Sequence, residues 1–411
     1  MKKLFRKAVA VAAVSAMLLH SFSAVALAET VEISGNGSES DNIVSVETVK
    51  ETVVVQSNEA DIDNDIEVEV ETGENEVNDN TGGDALVMTG NASGSVDVST
   101  RVNLNAVSDE REVVRDDTSV LISGNGADSD NDVDLESFEL VEIFQDNYAD
   151  IDNDVEVDAE TGENEANRNT GGETVVVTGH ADAEVTIENT ANANLVNLEG
   201  PANGVRRPSY DVRVVGNGAY SDTEVDVFRS DILTIVQDNY ADIDNDVEVD
   251  AETGENEAND NTGGDVMVDT GMAETDVEID NLANLNVVST DGWMPEFVAK
   301  VGMNGYQSDN FICALFEDEL AVFQGDERGS GNYFDLENDL DTEPETGKSE
   351  ANRNTADAGD PLVITGHADA YTRVRNIGNA NFFGSRPSLT LPGNIQLSFS
   401  FDLDGLMGNW F

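Results

Sequence analysis

Apolar and acidic residues alternate one by one through "ADIDNDIEVEVETG", Ala60 to Gly73. Ala60, Ile62, Asn64, Ile66, Val68, Val70 and Thr72 fall on one side of the alternation. Asp61, Asp63, Asp65, Glu67, Glu69 and Glu71 fall on the other. A period of two with β-branched residues on one side predicts a strand, because a helix would spread the acids around its circumference. The same wording recurs as "ADIDNDVEVDAETG" at Ala149–Gly162 and Ala241–Gly254, and in diverged form as "FDLENDLDTEPETG" at Phe334–Gly347.

Aligning these copies defines four units. Asn36, Asn125, Asn217 and Asn304 are equivalent, at steps of 89, 92 and 87 residues. The units run over 29–112, 113–204, 205–292 and, diverged, 293–385, followed by a 386–411 capping strand region. A shorter signature of a small polar residue, Gly or Ser, then Asn, lies inside each unit. In the first unit its second residue falls at Gly35, Ser57, Gly73 and Gly90, at steps of 22, 16 and 17. Glycine and asparagine at such intervals supply tight turns between strands. The expectation is therefore all-β: an elongated β-solenoid, parallel β-helix-like, of about 17-residue coils in four tandem units. Four tandem β-sandwich domains are the alternative. About 21 such coils at ~4.8 Å each make a rod of ~100 Å, with successive acidic ridges ~24 Å apart.

Short coils punctuated by Gly and Asn, with a recurring Gln (Gln56, Gln145, Gln237, Gln324), resemble the curlin type of repeat. The wording "TGENEANRNTGG" and "VVVTGHADAEV" is similar to uncharacterised secreted acidic Asn/Gly repeat proteins of candidate-phyla bacteria. That likeness implies a surface or matrix role and carries no catalytic motif.

Residues 1–28 read as a secretory signal peptide. Lys2, Lys3, Arg6 and Lys7 precede an apolar run that ends in Ala26-Leu27-Ala28. The expected location is secreted, extracellular or at the cell surface, with no membrane span after cleavage. Loss of the leader takes the net charge from −65 to −69. Such a chain repels nucleic acid and attracts cations. Cys313, the only cysteine, lies in the apolar run "NFICALF" and is expected to pack inside.

Like charges on one strand face recur about 6.8 Å apart and repel. Carboxylates without His or Cys favour hard cations, and calcium tolerates irregular oxygen geometry. The candidate ligands are Asp61, Asp63, Asp65, Asp150, Asp152, Asp154, Asp242, Asp244, Asp246, Asp335, Glu337 and Asp339. A solvated face is the competing reading. The recurrent pairs Asn78/Asn80, Asn167/Asn169, Asn259/Asn261 and Asn352/Asn354 are expected to ladder between coils. His180 and His367 share a repeat position with Asn91 and Met272, which argues against a ligand role. No Ser-His-Asp order, CxxC or phosphate loop is present, and four near-copies offer no unique cleft, so the chain reads as non-enzymatic. The expected function is a structural surface or matrix element stabilised by calcium, able to self-associate. An adhesin that meets a glycan or protein through loops near Arg206, Arg207 and Trp293 is the alternative.

Overall fold

The computed structural model describes residues 6–11, 16–20, 30–108, 117–198, 209–290, 296–325, 331–355, 360–384, 388–391 and 395–398. They form 21 strands and no helix. Two strands within the expected leader come first, β1 (Arg6–Val11) and β2 (Ala16–His20). Each unit then makes one turn of a flattened solenoid. The first turn comprises β3 (Thr30–Ser34), β4 (Asp41–Gly73), β5 (Ala85–Met88) and β6 (Ala92–Ser108). The second comprises β7 (Thr118–Ser123), β8 (Asp130–Gly162), β9 (Thr174–Val177) and β10 (Ala181–Leu198). The third comprises β11 (Ser209–Val215), β12 (Asp222–Gly254), β13 (Val266–Asp269) and β14 (Ala273–Thr290). In the fourth the long strand is split: β15 (Glu296–Gly302), β16 (Asp309–Gln324), β17 (Tyr333–Gly347), β18 (Leu362–Ile364) and β19 (Ala368–Phe383). A separate antiparallel hairpin, β20 (Ser388–Leu391) with β21 (Ile395–Ser398), ends the described chain.

Every other ladder among the described residues is parallel, and apart from β1 and β2, which pair with β6, each joins equivalent residues of successive units. β4 pairs with β8 so that Ala60 meets Ala149, and β8 with β12 so that Ala149 meets Ala241. β12 pairs with both β16 and β17, bringing Ala241 to Phe334. The solenoid architecture is therefore present and the four-bead alternative is not. The coil length departs from expectation, since one coil is a whole unit and not about 17 residues. The reason lies in the signatures. Gly35, Gly73 and Gly90 mark corners within one coil, and Ser57 lies in the middle of β4. Four turns stand only ~19 Å high, while a 33-residue strand spans up to ~110 Å, so the long axis runs along the strands.

In each turn the chain leaves along the short strand, returns along the long one, rounds a tip through the four-residue strand and runs back. β4, β8, β12 and β16/β17 form one wall; the sheets containing β3 and β6 form the facing wall. Val31 and Ile33 pack across from Val44 and Val46, and Val68 across from Val96 and Val98. Even-numbered residues of β4 point inward and odd-numbered ones outward, as the alternation predicts.

The core is only partly apolar. Gln145 Nε2 donates to Gln56 Oε1 at 2.8 Å, and Gln237 Nε2 to Gln145 Oε1 at 2.8 Å. Asn147 donates to Asn239 within its wall and to Asn194 across the core, at 2.9 and 2.8 Å. The tip asparagines ladder as expected, with Asn80 Nδ2 donating to Asn169 Oδ1 at 3.0 Å. Amides satisfy one another because like stacks on like, and burial without such partners would cost on the order of 1–3 kcal/mol per group.

One other expectation changes. Cys313 is exposed: in β16 the odd positions face outward, and it stacks beside Asp226 on the outer surface. Among the described residues β20 and β21 ladder only with each other; the rest of the expected 386–411 capping region lies outside the described residues. Arg206, Arg207 and Trp293 also lie outside the described residues.

Candidate functional site

Stacking turns the four acidic ridges into one wall. Asp61, Asp150, Asp242 and Asp335 are successive ladder neighbours, and so are Asp65, Asp154, Asp246 and Asp339. Between these columns lie Asp63, Asp152, Asp244 and Glu337. All twelve candidate ligands are thus brought onto one surface. Three further columns extend it: Glu67/Glu156/Glu248/Asp341, Glu69/Asp158/Asp250/Glu343 and Glu71/Glu160/Glu252/Glu345. The result is a grid of carboxylate positions ~4.8 Å apart between turns and ~6.8 Å apart along a strand. Ridges ~24 Å apart would act independently; ridges one strand apart cannot.

Magnitude decides what the wall needs. Two unit charges 4.8 Å apart repel by ~0.9 kcal/mol in bulk water, roughly halved by physiological salt. Summed over six columns of four, repulsion between turns reaches on the order of 10 kcal/mol, comparable to the net stability of a whole domain. Burial and, after it, neighbouring carboxylates both disfavour ionisation of the wall. Burial first, then Asp242 and Asp61, raises Asp150 above the ordinary carboxylate range. Burial followed by Glu337 and Asp152 does the same for Asp244. Asp158, Glu160 and Glu252 are raised chiefly by burial. Asp250 is pushed up to about 6, by burial first and then by Asp158 and Glu248. Its Oδ1 is shielded from solvent and has no hydrogen-bond partner.

These shifts have a definite sign. A carboxyl raised above its unfolded value of 3.8 binds its proton more readily in the fold, so ionisation destabilises the fold. Stability from this group is greatest at low pH and falls as pH rises from the unfolded value through about 6. The melting temperature in chelator should accordingly rise as pH is lowered from 7 to 5. A constant or falling value would show that ionising the wall does not cost the fold stability.

At the tip end the grid continues round a corner. Glu74, Glu163 and Glu255 follow the corner glycines in left-handed conformation, at φ 51°, 49° and 51°. Carboxylate oxygens of Glu71, Glu74 and Glu163 all lie within 4.8 Å of one another on an exposed surface. Lys348 replaces the acid in the fourth turn and ion-pairs with Glu345, Glu252 and Glu255. At the other end stand stacked tyrosines: Tyr148–Tyr240 and Tyr240–Tyr333 centroids are 4.9 and 4.8 Å apart. Tyr333 donates to Asp335 at 3.0 Å. The tyrosine stack and the corner acids could not be placed from sequence without the register, although both sit at fixed offsets from the repeated words.

His180 Nδ1 accepts the backbone N–H of Met272 at 2.9 Å, so it serves the stack. Arg229 is the other charged group sequence reading missed. It is buried in the third turn, with Nε 2.7 Å from Asp231, Nη2 3.3 Å from Glu139 and Nη1 3.3 Å from the Tyr210 hydroxyl. Burial pulls its pKa down, but its bonds to Asp231 and Tyr210 outweigh that and hold it above the ordinary value. Burial raises Asp231 against the pull of Arg229.

Among the described residues no helix is long and apolar enough to cross a membrane. Compared with known proteins, the chain matches no family model, no curated protein and no solved structure.

Proposed function

We propose that the chain is an exported structural element of a cell surface or extracellular matrix whose acidic wall binds calcium. The observation that carries this reading is the in-register stacking of six acidic columns. The donors are carboxylate oxygens without imidazole or thiolate beside them, which suits a hard divalent ion of flexible geometry. Asp61, Asp63, Asp65 and their equivalents form one half of the wall, and Glu67 to Glu71 with theirs the other. An ion seated between turns relieves repulsion in both neighbours, so binding and stability are linked. At a hundredfold excess over Kd, one site adds about 2.7 kcal/mol to stability.

Calorimetry and thermal melting test this. Millimolar calcium should bind with measurable heat and raise the melting temperature more than sodium at equal ionic strength. Asp150, Asp152 and Asp154 have a turn on either side, whereas Asp61, Asp63 and Asp65 have one on a single side only. Changing the inner three to Asn should therefore remove more bound calcium than changing the outer three. Both triple variants should be more stable than the parent without calcium. Absence of calcium binding at millimolar concentration, or sodium matching calcium in the melt, would show a merely solvated wall.

A further inference from the structure

The stack has two unlike ends. Among the described residues the lower edge is β3–β6 and the upper edge is β15–β19, and neither has a further strand laddered against it, save where β1 and β2 pair with the lower side of β6. That exception shows that the lower edge of β6 accepts a parallel strand in register. In a chain that has lost its leader this edge opens as well. Large apolar side chains are exposed mainly on the end turns, among them Ile43 below at 71% and Met303 above at 84%.

Charge distinguishes the ends. The column Asp79–Arg168–Asp260–Arg353 alternates in sign from bottom to top, with ion pairs at 2.7 Å between its first two members and 2.8 Å between its last two. The corner column starts at Glu74 and finishes at Lys348. The column through β3, β7, β11 and β15 starts at Glu32 and finishes at Lys300. A fourth column runs the other way, from Lys50 at the bottom to Asp318 at the top. In each of the four, the residue at one end is opposite in sign to the residue at the other.

The amide ladders are directional too. Asn64 Nδ2 donates to Asn153 Oδ1, Asn153 to Asn245 and Asn245 to Asn338, at 2.7, 2.7 and 2.8 Å. The ladder ends with Asn338 on the upper edge and begins with Asn64 on the lower one. A second copy placed with its lower edge on this upper edge continues the direction. A copy placed top to top reverses it.

The geometry points to head-to-tail stacking of copies of this chain, upper edge on lower edge, each junction repeating the register between turns. Such a contact is heterologous and does not close on itself, so it generates filaments of stacked slabs. Arg353 then meets the next copy's Asp79, Lys348 its Glu74, Lys300 its Glu32 and Asp318 its Lys50. The six acidic columns also become continuous across the junction, which sets six like-charged pairs against the four opposite ones, a cost that bound calcium would offset. Calcium promotion of stacking rests on the calcium reading above; the stacking itself does not.

Charge reversal tests the inference. One variant reverses the upper edge (Lys300→Glu, Lys348→Glu, Arg353→Glu) and a second the lower edge (Glu32→Lys, Glu74→Lys, Asp79→Lys). The chain is recovered after export, and intact mass records whether residues 1–28 remain. Assembly is followed by sedimentation and electron microscopy, with and without calcium. The parent should form filaments. Each variant alone should need a roughly 100-fold higher concentration to assemble, at ~1 kcal/mol per reversed pair. An equimolar mixture should restore assembly, because the reversed upper edge fits the reversed lower edge while the two unreversed edges fit each other. Circular dichroism of each variant checks that it remains folded. A parent that stays monomeric at all concentrations with and without calcium, a parent that stops at a closed dimer, or a mixture no better than its components would overturn the proposal. Filaments indifferent to calcium would leave the stacking standing and count against the calcium reading alone.

Discussion

Replacing Gly271 by Ala should destabilise the protein by about 3 kcal/mol, while the same change at Gly90 should be within about 0.5 kcal/mol of neutral. The two glycines occupy one repeat position in the third and first turns. A Cβ on Gly271 would stand 1.8 Å from the carbonyl oxygen of Gly179 and 2.4 Å from its carbon. Those are backbone atoms, which cannot rotate aside. A Cβ on Gly90 meets nothing within 4 Å among the described residues, because it belongs to the first turn of the stack. Gly179, over Gly90, should behave like Gly271, its Cβ lying 2.2 Å from Gly90 O. Chemical denaturation of the three single variants measures the difference. Equal effects at all three would mean that each unit contains its own stacked coils.

The second large effect belongs to Arg229. Its guanidinium is shielded between Asp231, Glu139 and Tyr210, and its side chain is only 7% exposed. Arg229→Ala removes the cation and leaves the largely enclosed Asp231 without one, while Glu139 keeps its 2.6 Å ion pair with Lys50; breaking such a pair typically costs about 3–5 kcal/mol. Neutralising the orphaned acid in the same chain, with Asp231→Asn, should recover much of the loss. Urea denaturation of the single and double variants distinguishes this from lost packing, for which the added change would bring no recovery.

Much of the architecture was legible in the alternation. The face on which Ala60 to Thr72 lie is the inner face, and the acids of the same stretch are the outer one, because period two admits only that division. The four-unit repeat was equally legible from Asn36 and its equivalents. The coil length was not. A corner such as Gly73 and a coil boundary use the same residues, since both need a tight turn, so turn spacing alone cannot say how many corners one coil contains. What settles it is lateral: Gly73 lies against Gly162, 89 residues on, and no local pattern encodes that choice. The same gap hid Cys313, whose apolar neighbours suggested the core while its odd position put it outside. It hid Arg229 as well, since its partners Glu139 and Tyr210 lie on other strands. The twelve candidate ligands were identifiable one by one, but their coupling was not, because coupling depends on the distance between ridges.

That distance can be measured. Ser57 and Asp146 face outward and are ladder partners in β4 and β8. With Cys313 replaced by Ser, nitroxide labels on cysteines at positions 57 and 146 report their separation through dipolar broadening. Stacked whole-unit coils place the two backbones ~4.8 Å apart, and the spectrum should be strongly broadened. Coils of about 17 residues would put them ~24 Å apart, and an unbroadened spectrum would contradict both the fold and the continuous acidic wall built on it.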